Sequence, residues 1–221
     1  MRSLYGDLFR YVICHNGLLN SQFSKIKNLN CECINQEEYK CGLHLNPPKS
    51  KDKNGRFIAG PAWKLYPPRL DINCHEIIID NDVVIDCKSE IFDKFLKSTE
   101  MVIATEAIER SYGNFDRYVN HNLMLNTGVI GLPPGYDLCS KLNLVIDFSN
   151  IKKWENHFDE QGLYAATLQK TPMSMFSLSD INVCCPQRDY KLGQIGMHFI
   201  AVNNGHDIHW KKYKSSKIKL L

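Results

Sequence analysis

Residues 77–85 read IIIDNDVVI, two apolar runs joined by a short acidic turn. The first run, HEIIID from His75 to Asp80, is bounded by polar residues and is of the kind that forms a buried parallel strand. VVID, Val83 to Asp86, resumes the strand pattern after a two-residue break. Asp80 and Asp82 stand at i and i+2, so both carboxylates leave the chain on one side at a strand end. Open α/β sheets bind their ligands at such ends. Two hard oxygen donors this close suit Mg²⁺ or Mn²⁺, ions that neutralise a diphosphate. The same three residues also read as a solvated Asp-Asn-Asp turn.

Upstream, RYVICH, SQFSKIKNL and CECIN read as strand, helix and strand, with Asn16-Gly17 marking the turn and Ser21 the helix cap. NPPKSKDKNGR, residues 46–56, is a basic, Pro- and Gly-punctuated loop. KLYPPRL cannot remain helical past Tyr66 because two prolines follow. Downstream, IFDKFLKS is a helix and MVIAT a buried strand, and LNTGVIGL is a further strand closed by Pro133-Pro134-Gly135. YDLCSKLNLVIDF and EQGLYAATLQ are helical, and MSMFSLS, INVCC and GMHFIAV are late strands. Strands alternating with helices predict an α/β fold with a mixed, mostly parallel sheet flanked by helices. The 221 residues fit one domain, and 43% hydrophobic content is ample for its core.

The net charge of +3 does not point to nucleic acid. No signal sequence is visible at the start, because Asp7 and Arg10 interrupt any apolar run, and no stretch approaches the roughly 18 apolar residues of a membrane span. Nine scattered cysteines in a chain of this size fit a reducing compartment, so the expected location is cytoplasmic, with a possible peripheral membrane contact. Cys31, Cys33, Cys41 and His44 could surround zinc, but the Cys31-Glu-Cys33 pair is tighter than a usual structural zinc site has, and Cys31 and Cys33 read as small strand hydrophobes.

One rival reading starts from the same acidic turn. An apolar strand ending D-x-D-x-V is also the nucleophile motif of haloacid-dehalogenase-type phosphatases, with Thr105 of VIAT imitating their second motif. The later G-D-x-x-x-D pair those enzymes need is absent. The order D-x-D, LNTGVIGL, FDEQGL and MHF with a downstream Trp instead resembles GT-A-type glycosyltransferases, particularly family 8 and its relatives, from about Tyr11 to Trp210. That resemblance implies one GT-A, Rossmann-like domain, with a nucleotide-binding half over about 1–88 and a sugar and acceptor half over about 89–213. It implies transfer of a hexosyl group from a nucleotide-diphosphate sugar, UDP foremost, to a hydroxyl on a glycan or other acceptor.

Carried onto this chain, the resemblance makes Asp80, Asp82 and His198 the metal ligands, a set that favours Mn²⁺ over Mg²⁺. Asn126, Thr127 and Gly128 would cradle the donor sugar, with bare Gly128 letting backbone approach the ligand. Asp159 and Glu160 would be the catalytic carboxylates, with Gln161 beside them. Cys14, His15 and Asn16 would lie near the base, Asn81 within the metal turn, and Lys64 or Arg69 on phosphate or sugar. If transfer inverts the anomeric centre, one of the two carboxylates would act as general base; if it retains, the acid would position the sugar. The family's G-x-x-K-P-W segment has no counterpart: FIAVNNGHDIHW carries His206 and His209 and no lysine before Lys211. A sugar nucleotidyltransferase is disfavoured because CHNGLLNSQ has one glycine and no basic residue. A catalytically silent sugar-binding module is disfavoured by the intact ligand set. The tail HWKKYKSSKIKLL, with five lysines among Trp210, Tyr213, Ile218 and two leucines, is expected to meet an anionic partner.

Overall fold

The computed structural model describes residues 1–15, 20–27, 29–47, 64–155, 158–200 and 208–218. Asn16, all but the start of the 46–56 loop, His206, Asp207 and the last three residues lie outside them. In chain order the elements are α1 (Arg2–Tyr5), β1 (Val12–His15), α2 (Asn20–Lys27), β2 (Glu32–Asn35), β3 (Glu76–Ile79), β4 (Val83–Ile85), α3 (Glu90–Phe95) and β5 (Met101–Thr105). There follow β6 (Leu125–Leu132), α4 (Leu138–Ser149), α5 (Phe158–Leu168), β7 (Met173–Phe176), β8 (Ile181–Cys184), β9 (Gly196–Phe199) and α6 (Ile208–Ile218). They divide into two compact units that interleave along the sequence.

The first unit comprises Met1–Ile72, Ser111–Val119 and Gly135–Thr167. Its strands β1 and β2 pair in parallel, Val12 opposite Glu32 through His15 opposite Asn35, as the opening pattern predicts. Helix α4 starts where Asp137 accepts hydrogen bonds from Ser140 N (3.0 Å) and Oγ (2.6 Å), and it stops at Asn150 in the left-handed region. Its buried residues Leu138, Leu142, Val145 and Ile146 recur at helical spacing, and α5 buries Leu163, Tyr164 and Ala166. A Cβ on Gly162 would collide with the Tyr112 carbonyl, so α5 needs a bare residue there.

The second unit, Asn73–Arg110, Asn120–Pro134 and Leu168–Leu221, holds two sheets. One runs β3-β6-β5-β7 and the other β4-β9-β8. Strand β6 is buried at every position and forms the floor of the first sheet. Strand β3 is half-buried and pairs antiparallel with β6, not in the buried parallel setting that its apolar run suggests. Over the described residues three pairings are parallel (β1–β2, β5–β7, β8–β9) and three antiparallel (β3–β6, β4–β9, β5–β6), so the sheets are mixed without a parallel majority. The connection from β5 to β6 explains part of this. It consists of short 3-10 turns instead of a crossover helix, and an antiparallel neighbour is the pairing such a link permits.

Helix α6 docks on the second sheet. Tyr213 is buried with Cys184, Met197 and Phe199, and Trp210 and Tyr190 pack against that cluster. Tyr213 donates to Asp86 Oδ1 at 2.6 Å, and Lys217 Nζ lies 3.0 Å from Asp86 Oδ2. The aromatic residues expected to anchor a free tail are therefore spent on the core.

Candidate metal centre

The acidic turn lies where the chain leaves one sheet of the second unit and enters the other. Asp80 N donates to Gly128 O (2.9 Å) on β6, and Asp80 O closes the turn by accepting from Val83 N (3.1 Å). Two residues on, Asp82 O accepts from Phe199 N (2.8 Å) on β9, and Val83 stands opposite His198 in the ladder. Each aspartate is thus fixed by a backbone bond to a different sheet. Asn81, at the tip between them, is exposed.

One ligand atom from each of Asp80, Asp82 and His198 can be chosen so that all lie within 4.8 Å of one another. Both aspartates are half-buried, and His198 is buried. His198 Nε2 sits 3.3 Å from Asp82 Oδ1, while its buried Nδ1 has no hydrogen-bond partner among the described residues. Two carboxylates and an imidazole are a donor set for a borderline-hard divalent cation, so the residues fit such an ion.

The strand beneath explains the histidine's position. The β5–β6 register slips between Ile103, opposite Ile130, and Ala104, opposite Asn126, so residues 127–129 bulge out of that ladder. Asn126 closes the gap. Its Oδ1 accepts from Gly128 N at 2.8 Å and its Nδ2 donates to Glu106 Oε2 at 2.9 Å. A Cβ on Gly128 would run into the His198 ring, so the missing side chain makes room for the imidazole. Thr127, like Asn126, is buried.

Sequence reasoning missed Glu106 and Arg110. Glu106 is buried, accepts from Ala107 N at 2.7 Å, and has Oε2 2.9 Å from Arg110 Nε. The available signal was an acid directly after the apolar strand MVIAT, with an arginine four residues on.

The other expected residues belong to the first unit. Asp159 is fully buried, and both its oxygens are taken, Oδ1 by Asn114 N (2.7 Å) and Oδ2 by Glu155 N (2.6 Å). A carboxylate held by two backbone donors at a helix start anchors the neighbouring loops. Glu160 pairs with Lys64 (Nζ to Oε1 3.8 Å), both side chains being largely buried. Gln161 Nε2 is buried with no hydrogen-bond partner among the described residues. Arg69 is committed to backbone, donating to Asp71 O (3.0 Å) and Tyr136 O (2.5 Å). Cys14 is exposed at the end of β1, and the His15 ring meets Phe23 edge-on at 5.4 Å. His44 of the cysteine-rich segment pairs with Asp147 at 2.8 Å.

No protein-family model and no curated protein matches this chain. Solved structures do. Mouse xyloside xylosyltransferase 1, in its apo form, aligns over 86% of this chain and 83% of its own at 13% identity, with a TM-score of 0.52. An active-site mutant of LgtC aligns over 90% of this chain and 80% of its own at 12% identity, with a TM-score of 0.53. The galactosyltransferase LgtC in complex with donor and acceptor sugar analogs aligns over the same shares at 11% identity, with a TM-score of 0.52. The fold of this chain is therefore the GT-A fold, a mixed α/β architecture with sheets flanked by helices.

Proposed function

We propose that this chain transfers a hexosyl group from a nucleotide-diphosphate sugar, UDP-linked, to an acceptor hydroxyl, using Mn²⁺ held by Asp80, Asp82 and His198. The observation that carries this reading is the convergence of those three side chains from two sheets, on a fold whose solved neighbours include sugar transferases. A cation there supplies Lewis-acid stabilisation of the departing diphosphate, worth several kcal/mol. The protein's own share is to fix the donor and hold the reacting groups. Asp80 and Asp82 offer negative charge on a turn clamped at both ends, so little reorganisation is needed to seat the ion.

The resemblance assigns Asp159, Glu160 and Gln161 to the sugar. Lys64 supports that role for Glu160, because the ion pair holds its carboxylate in place to accept a hydroxyl proton or to steady positive charge at the anomeric carbon. Gln161 Nε2 offers a donor whose hydrogen bond is not made within the described residues, as a sugar hydroxyl would require.

A panel of nucleotide sugars, assayed for binding and for hydrolysis or transfer with Mn²⁺ and with EDTA, tests the reading. Turnover of at least one donor, abolished by EDTA, is expected. Binding without turnover for every donor would favour a silent sugar-binding module, and no binding at all would sink both readings.

A further inference from the structure

We propose that Arg110 and Glu106 form a remote clamp on the cation site, fixing the Asn126 amide and, through it, the backbone on which His198 rests. The inference builds on the cation reading above and adds two positioning residues to it. The bulge takes residues 127–129 out of the β5 ladder, and the Asn126 side chain accepts from Gly128 N in its stead. That amide, together with the bond from Asp80 N to Gly128 O, fixes the strip against which the imidazole rests.

The two ends of an asparagine amide are chemically different, and only one orientation fits here. The Gly128 N–H needs the oxygen, and the Glu106 carboxylate needs the NH₂ group. Turned over, the amide would set a donor against the Gly128 N–H and an oxygen against a carboxylate. What holds the correct orientation is Glu106 Oε2, and that same oxygen lies 2.9 Å from Arg110 Nε. The Glu106 side chain is fully buried and that of Arg110 is 15% exposed. A buried carboxylate stripped of its counter-charge swings toward water, and that movement removes the acceptor from Asn126 Nδ2. The contacts run from Arg110 to Glu106, Asn126, Gly128 and His198, whose Nε2 is 3.3 Å from Asp82. Outer partners of this kind tune metal affinity without touching the ion.

The test is Mn²⁺ titration, by calorimetry or by the loss of free-ion electron paramagnetic resonance signal. The proteins are wild type, Arg110→Ala, Arg110→Lys, Asn126→Ala and the Arg110→Ala/Asn126→Ala double variant, with melting temperatures recorded in EDTA. Arg110→Ala is expected to weaken Mn²⁺ binding roughly ten- to a hundredfold. Arg110→Lys should recover most of that loss, and the double variant should be little worse than Asn126→Ala because both act through one amide. A merely structural arginine would lower the melting temperature in EDTA yet leave the affinity of the folded protein unchanged, and that result overturns the clamp. So does a double variant whose losses simply multiply. If Arg110→Ala does not fold, Arg110→Gln, which keeps most of the stem and loses the charge, is read by the same criteria. Wild-type protein that binds no Mn²⁺ overturns the cation reading and the clamp with it, whereas wild-type binding matched by the variants overturns the clamp alone.

Discussion

The His198 imidazole rests on the bare Cα of Gly128, where an added Cβ would come within 2.6 Å of Nδ1 and nearer still to Cε1. Gly128→Ala must therefore displace the ring or the strand, since His198 is buried and has little room to yield. We expect a stability loss of about 1–3 kcal/mol, as for other overpacked interiors, together with weakened Mn²⁺ binding. Thermal melts and Mn²⁺ titration on the same preparation check this; wild-type values in both would show that the ring has another seat.

Asp80→Ala and Asp82→Ala should each abolish donor turnover while leaving the fold intact, because both side chains are half-exposed and the turn is held by its backbone. Circular dichroism and a nucleotide-sugar assay at limiting metal separate the two effects. EDTA should silence the wild type and added Mn²⁺ restore it. Full turnover by either variant at limiting metal would remove these residues from the site.

Neighbouring carboxylates should behave differently. Asp159→Ala removes the acceptor of two partly buried backbone donors, Asn114 N and Glu155 N, each costing about 1 kcal/mol, so its melting temperature should fall by a few degrees. Glu160→Gln should melt closer to the wild type and lose turnover. The reverse pattern would give the chemistry back to Asp159.

Acid stability should carry a contribution from Asp137. Its carboxyl is held below the usual range by hydrogen bonds from the Ser140 side chain and backbone. A lowered folded pKa means that the cap's contribution is complete above the unfolded value, about 3.9, and fades as pH falls through the folded value. The stability gap between wild type and Asp137→Asn should therefore narrow below about pH 4. Urea melts at pH 7 and pH 3 measure it, and a gap that widens in acid would contradict this account.

Helix α6 exposes Lys211, Lys212 and Lys214, along with Ile208, and we propose that this face meets an anionic membrane surface. Each lysine near such a surface adds about 1 kcal/mol, which salt screens. Lys211→Glu/Lys212→Glu should reduce sedimentation with phosphatidylserine-containing vesicles at low salt and leave donor affinity alone. Equal sedimentation of variant and wild type would end the proposal.

Much of this was legible in the residues. LNTGVIGL is strand β6 at its full extent, because a long apolar run closed by Pro-Pro-Gly has few alternatives. Asp80, Asp82 and His198 were legible as a trio only through the order of motifs, since 116 residues separate Asp82 from His198, and no local pattern brings them together. What stayed hidden was non-local. The β5–β6 bulge depends on two strands in register, so the engagement of the Asn126 amide by Gly128 and Glu106 has no local signature. The backbone donors that engage Asp159, Asn114 N and Glu155 N, likewise reveal nothing in a one-letter string.

The acidic turn spans two sheets, with Asp80 tied to β6 and Asp82 and His198 to β9. An ion bound by all three would be a cross-link between the two sheets, added to the chain connections that already join them. Spontaneous opening of β9 would then have to break metal–ligand contacts as well as ladder hydrogen bonds. Metal occupancy and the slow hydrogen exchange of the β9 amides would rise and fall together, and local breathing of that strand, instead of diffusion through a channel, would govern how fast the ion leaves.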